Sequence, residues 1–185
     1  MSVLAWILIA LVAILVVGII AWQISASRRT SQLRDRFGPE YDRLASDMDS
    51  KHGAEAELAG REERREELEI RELPDASRER YVQTWRDIQA QFVDDPRGAI
   101  GTADKLLESV MAERGYPIED FEQRAADLSV DHPRVVQNYR EGHRIAEASK
   151  DNGTSTEDLR QALKHYRELF EELVGPTSEH STRAA

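Results

Sequence analysis

Hydrophobic and polar positions divide the chain into stretches of different texture. Residues 3–24 read VLAWILIALVAILVVGIIAWQI, apolar almost without interruption and free of charge. At about 1.5 Å per helical residue such a run covers the roughly 30 Å hydrocarbon layer of a bilayer, so the pattern predicts a transmembrane helix. Trp6 and Trp22 stand about 24 Å apart along that helix, a spacing that would set each indole at one membrane interface. A cleaved signal peptide is the rival reading. The missing basic n-region and the length of the apolar run argue against it. Arg28, Arg29, Arg34 and Arg36 crowd the C-terminal flank. The positive-inside rule therefore predicts a single-pass plasma-membrane protein with its N-terminus outside and residues 28–185 in the cytoplasm. Arg28 and Arg29 would also suit anionic lipid headgroups of that bilayer.

Beyond the apolar run, Leu33 and Phe37 keep helical spacing until Gly38 and Pro39, a C-cap followed by a first-turn proline. Tyr41, Leu44 and Met48 then form a narrow apolar stripe ending near Ser50 and Gly53. Residues 54–73 carry AEAELAGREERREELEIREL, with no apolar side chain between Ala59 and Leu68. This predicts a solvated spacer helix with no face to bury, supported by i,i+4 pairs Glu57–Arg61, Arg65–Glu69 and Glu67–Arg71.

After Pro74 the pattern becomes that of packed helices. Tyr81, Trp85, Ile88 and Phe92 recur at +4, +3 and +4 as one core stripe. Asp95 and Pro96 supply an N-cap and N1 for a second helix lined by Ile100, Ala103, Leu107, Val110 and Met111, with Gly115 at its end. Ile118, Phe121, Ala125 and Leu128 mark a short third helix, and Val135, Val136, Tyr139, His143 and Ala146 a fourth. Ser155 and Asp158 form a capping-box pattern ahead of Leu159, Ala162, Leu163, Tyr166, Leu169, Phe170 and Leu173. No strand-like alternation occurs. The predicted class is all-α: a transmembrane helix at 3–24, juxtamembrane and spacer helices over 25–73, a helical bundle over 75–174 and a disordered tail over 175–185.

Charge narrows the function classes. The chain holds 35 acidic and 25 basic residues, a formal net charge of −10, and no cysteine. An acidic balance argues against nucleic acid as a partner, and disulfides and thiolate chemistry are excluded. GxxxxGK[ST], GxGxxG, GxSxG and HExxH are all missing from the sequence, which removes the commonest nucleotide, acyl-transfer and zinc-protease readings. His143 and Glu147 share a helix face at i,i+4, but a metal site needs further ligands. The reading therefore assigns no catalytic residue, no cofactor and no metal.

The densest polar block is residues 114–133, RGYPIEDFEQRAADLSVDHP. A helical wheel sets Ile118, Phe121, Ala125 and Leu128 on one side and Asp120, Arg124 and Asp127 along one flank as intrahelical partners. Glu119, Glu122 and Gln123 fall away from both, which makes them the candidate surface for a protein partner. The expectation is thus an interaction or scaffold module rather than an enzyme. The alternative is a helical enzyme or ligand-binding bundle whose pocket lies between helices at Tyr139, His143 and Tyr166.

Through this block, RFGPEYDR (residues 36–43), RYVQTWRDIQAQFVDDP (80–96) and STEDLRQALKHYRELFEEL (155–173), the chain resembles a group of uncharacterised single-pass bacterial membrane proteins. The resemblance covers most of residues 3–174. It implies a bacterial plasma membrane and carries no activity with it.

Overall fold

The computed structural model describes residues 11, 15–18, 28–48, 50–150 and 153–175. Among these, all regular structure is helical, in agreement with the all-α expectation. The chain forms two compact units, Met1–Leu58 and Ala59–Ala185.

The membrane assignment is corrected. Crossing about 30 Å of hydrocarbon takes about 20 consecutive apolar helical residues, and among the described residues no helix is long and apolar enough to do so. Most of 3–24, with Trp6 and Trp22, lies outside the described residues. Leu11 and residues 15–18 are helical and exposed. The next helical run, 28–37, opens on Arg28 and Arg29, both exposed, and is interrupted by further charge. The transmembrane span, the single-pass topology and the plasma-membrane location are withdrawn together. The tail from 176 and the turn residues Asp151 and Asn152 also lie outside the described residues.

In the first unit, helical residues 28–37 turn at Gly38, whose φ of +50° suits glycine, into α1 (Pro39–Asp47). Leu33, Phe37, Tyr41 and Leu44 are buried, while Met48 is exposed. Glu40 is wholly buried, its carboxylate held by the Arg43 guanidinium at 2.8 and 3.1 Å. Helix α2 (Lys51–Glu67) starts where Ser50 Oγ accepts from the Gly53 amide at 3.2 Å. Its Glu55 accepts from Thr30 (2.7 Å) and Tyr41 (3.1 Å), and Ala54 and Leu58 are buried.

The second unit holds the main core. Helices α3 (Asp75–Asp94), α4 (Pro96–Arg114), α6 (Val136–Ser149) and α7 (Thr156–Val174) pack with α4 against each of the other three. The expected stripes form the core: Tyr81, Trp85 and Ile88 on α3, Ile100, Ala103, Leu107, Val110 and Met111 on α4, and Leu159, Ala162, Tyr166, Leu169, Phe170 and Leu173 on α7 are buried, while Phe92 and Leu163 are half-buried against it. Trp85 stacks on Phe170, ring centres 4.8 Å apart. The local signals hold as well. Asp95 caps α4 through the Gly98 amide, and Ser155 and Asp158 form a reciprocal capping box on α7.

Two parts depart from expectation. The spacer is docked rather than solvated. Arg61 is buried and donates to Ser129 Oγ at 3.1 Å, and Arg65 donates to the Asp131 carboxylate, both on α5 (Phe121–Asp131). Helix α2 also stops at Glu67, so Arg65–Glu69 and Glu67–Arg71 have no helical register. Residues 68–74 instead form a strap across the end of α4. The Arg71 amide donates to Arg114 O (2.9 Å), its guanidinium to Glu113 O (2.8 Å), and Leu73 enters the core.

The second departure is α5 itself, where residues 124–130 are buried without a break. Arg124 and Asp127 therefore lie inside. Asp120 serves as the N-cap, accepting from the Gln123 amide at 2.9 Å, instead of pairing with Arg124.

The strap explains Gly115. Its φ is +97°, and a Cβ there would stand 2.5 Å from the Glu69 carbonyl oxygen. Replacing Gly115 by alanine should destabilise the fold by about 1 to 3 kcal/mol through left-handed backbone strain, with the clash adding to it. Urea unfolding measures this, and a variant as stable as the parent would show that the strap does not cross at Gly115.

Candidate functional site

The polar interior of the second unit is built around Arg124. A buried guanidinium must be fully partnered, because an unpaired buried charge costs several kcal/mol. Arg124 Nε donates to the Tyr139 hydroxyl (2.8 Å) and Nη1 to Ile118 O (2.8 Å), with Glu108 on α4 at 3.0 Å. The Phe121 ring lies 5.8 Å from the guanidinium carbon, within cation–π range. A single side chain thus links α4, α5, α6 and the loop ahead of α5.

Asp104 on α4 forms the adjoining centre. It accepts from the Tyr166 hydroxyl at 2.9 Å, and His143 Nδ1 stands 3.8 Å away, beyond a hydrogen bond but close enough to interact electrostatically. Burial alone would push the Asp104 carboxyl up. His143, the Tyr166 hydrogen bond and the Arg124 charge outweigh it, and the carboxyl titrates below its ordinary value. Burial pushes both tyrosines upward, Tyr166 further under the Asp104 charge, so both stay neutral, Tyr139 accepting from Arg124 and Tyr166 donating to Asp104. Gly142 on α6 admits the Tyr166 ring: a Cβ there would stand 2.8 Å from it.

The structure therefore brings Tyr139, His143 and Tyr166 together, but not as the walls of a pocket. Both tyrosines are wholly buried with their hydroxyls engaged. Of the three, His143 lines a groove. Its ring stacks on Phe121 at 3.6 Å and 11° and lines an open groove of about 690 Å³ on α5, α6 and α7. Glu122, Arg140, Arg144 and His165 continue the lining. Arg144 is held by Glu141 through two bonds (2.9 and 2.6 Å), and Glu122 lies 3.9 Å from Arg140. His143 Nδ1, on the Asp104 side of its ring, and His165 Nδ1 are buried and have no hydrogen bond.

Of the expected partner surface, Glu119, Glu122 and Gln123 are all exposed, and Glu122 lies in the groove. Gln123 has a structural duty that the wheel does not show, donating to Asp127 at 2.8 Å. Asp127 needs it, since burial pushes that carboxyl above its ordinary value while Gln123 and the nearby arginines draw it back. Sequence reasoning missed His165, Arg140 and Arg144. The last two had a readable signal: with His143 they stand at i, i+3 and i+4, one basic face of α6.

Among the described residues no group of three or more His, Asp or Glu side chains is placed to hold a metal ion. No family model, no curated protein and no solved structure matches the chain.

Removing the Tyr166 hydroxyl tests the network. Tyr166→Phe should cost about 1 to 3 kcal/mol at pH 7, the value of a buried bond to a charged group, and should move the Asp104 carboxyl upward. Because that carboxyl is depressed in the fold, its contribution is present above its ordinary value of 3.8 and is lost as pH falls through the folded value. The stability gap between parent and variant should therefore narrow in acid. Carboxyl NMR titration with urea unfolding at pH 7 and pH 3 reads both, and a parent Asp104 titrating at or above 3.8 would overturn the assignment.

Proposed function

We propose that this chain is a protein-interaction module that docks a partner's side chains into the groove of α5, α6 and α7. The observation that carries the reading is the groove's wall. It is an open recess of about 690 Å³ whose lining sets the exposed Glu122 of α5 beside Arg140, His143 and Arg144 of α6 and His165 of α7. Arginine and aromatic side chains are enriched where proteins meet, and this recess holds two arginines and two histidines beside the Phe121 ring. Its floor is also stiff, because Phe121 is fixed between Tyr139 (ring centres 5.0 Å apart) and His143. A stiff recess lowers the ordering cost of association. The enzyme reading draws less support, since Tyr139 and Tyr166 face no open space.

The test is site-specific. A photo-cross-linking residue at position 122 should give a discrete protein adduct in cells, while one at position 93, where Val93 is 80% exposed on α3, should give none of that species. His165→Ala should weaken the adduct by at least tenfold with little change in the thermal melt, since exposed and half-buried substitutions away from networks are mild. Equal adducts at 122 and 93, or an adduct indifferent to His165, would remove the groove as the docking surface.

A further inference from the structure

His132 stands where three helices meet. Its amide ends α5 by donating to Leu128 O at 2.7 Å, and its carbonyl starts α6 by accepting from the Val135 and Val136 amides, both at 3.2 Å. Its ring crosses to α7, with Nδ1 3.2 Å from Glu172 Oε1. One residue thus joins two helices by its backbone and a third by its side chain. The ring lines a small recess together with Glu72 and Leu73 of the strap, Arg78 of α3 and Arg114 of α4. The two arginines hold the end of α7, since Arg78 Nε donates to Val174 O at 3.0 Å and Arg114 Nη1 to Leu173 O at 3.1 Å.

The ring suits this position only in its neutral form. A carboxylate only accepts, so Nδ1 carries the hydrogen and Nε2 a bare lone pair. The side chain is only 10% exposed, and Nε2 is buried with no hydrogen-bond partner. A proton placed there would be a donor with neither water nor an acceptor in reach, a state that native interiors almost never leave a polar group in. The surrounding charge does not make up for it. Arg114 faces the ring from α4 and opposes a second positive charge, and Arg78 bounds the same recess from α3. Among the anions, Asp131 is already taken by Arg65 and, at 2.7 Å, by the Tyr116 hydroxyl, while Glu172 and Glu72 are exposed and spend their charge on solvent. Burial first and the Arg114 charge second hold the imidazole below its ordinary value of 6.5, against the pull of Glu172 and Asp131.

We propose that His132 is an acid-sensitive latch at this joint: while neutral its ring pins α7 to the corner of α5 and α6, and on taking a proton at Nε2 it leaves its slot and lets the last turn of α7 and the strap open. Above pH 6.5 the closed and open forms are both neutral and pH has no leverage. As pH falls below 6.5 the open form takes up the proton first, so opening is progressively favoured until the closed form can be protonated as well. The core is not subject to the same pull. Its stripes are apolar, and the Asp104 carboxyl, depressed below 3.8, keeps its charge through this range. Opening is therefore local, a small cooperative unit released ahead of the rest.

Amide hydrogen exchange of the full chain, read as protection factors so that the intrinsic pH dependence cancels, tests the latch together with an NMR titration of the His132 ring. The ring should titrate below 6.5. Protection of the Arg71, His132 and Gly175 amides, bonded to Arg114 O, Leu128 O and Glu171 O, should fall by roughly threefold or more between about pH 7.5 and about pH 5. That of Trp85 and Leu107, inside α3 and α4, should hold to within about twofold. His132→Phe, which keeps a planar ring and cannot be protonated, should flatten the pH dependence at the three amides. His132→Asn, which keeps a donor for Glu172 and does not titrate, should do the same if the phenylalanine variant does not fold, and the parent's own titration and exchange decide if neither does. A ring that titrates at or above 6.5, protection that does not fall at the three amides, an equal fall at Trp85 and Leu107, or a fall that persists in a folded variant would each overturn the proposal.

Discussion

The fold of the second unit turns on a short helix with no free side. Helix α5 has seven consecutive buried residues, and these include a guanidinium, a carboxylate and a hydroxyl. Apolar burial tolerates sliding, since one methyl resembles another. Buried charge does not, because a displaced partner leaves an unsatisfied group at a cost of several kcal/mol. The surroundings of α5 are accordingly a set of answers to its side chains. Glu108 and Tyr139 serve Arg124, Arg61 serves Ser129, and Gln123 serves Asp127. Asp131, at the end of the helix, takes both Arg65 and Tyr116. Moving α5 by one turn would break most of these bonds together.

This constraint reaches the groove through very few atoms. Arg124 fixes Tyr139, Tyr139 and Phe121 pack ring against ring, and Phe121 carries His143 on its face. On the other side Gly142 lets Tyr166 lie against the α6 backbone, where its hydroxyl reaches Asp104. The groove wall is thereby an extension of the polar core rather than a collection of surface side chains. A wall of that kind holds its geometry without a partner present, which favours recognition of a shape already formed.

What could be read from the sequence follows the range of the interaction responsible. Helices α3, α4 and α7 were legible because their signals are local: a stripe at +3 and +4, an Asp-Pro start, a glycine stop, a capping box. Helix α2 was misjudged because its docking contacts are polar and join residues 66 and 68 positions apart. A search for apolar faces finds none in REERREE, yet a helix can be held by arginines if another element buries the matching acids and hydroxyls. The wheel for α5 failed for the mirror reason. It assumed that charged residues at i and i+4 answer each other, whereas Arg124 is answered by α4 and α6. Of the candidate site, Tyr139, His143 and Tyr166 were correctly grouped by their position on core stripes. Whether they faced a cavity depended on packing, which periodicity does not contain.

Histidine gives the remaining clue. The chain has five, and His132, His143 and His165 line two recesses, the groove of α5, α6 and α7 and a second one between the strap and the C-terminal end of α7, each with one ring nitrogen buried and unbonded. A buried unsatisfied nitrogen opposes folding, so a sequence shaped by stability alone would replace these rings with apolar side chains of similar volume. In a chain with a net charge of −10, the same recesses also gather Arg140, Arg144, Arg78 and Arg114. Helix α7 serves both, with His165 at one and Glu172 at the other, about 10 Å apart along its axis. The charged linings and the buried nitrogens behind them thus share one rigid helix, and α7 fixes how far apart the two recesses lie.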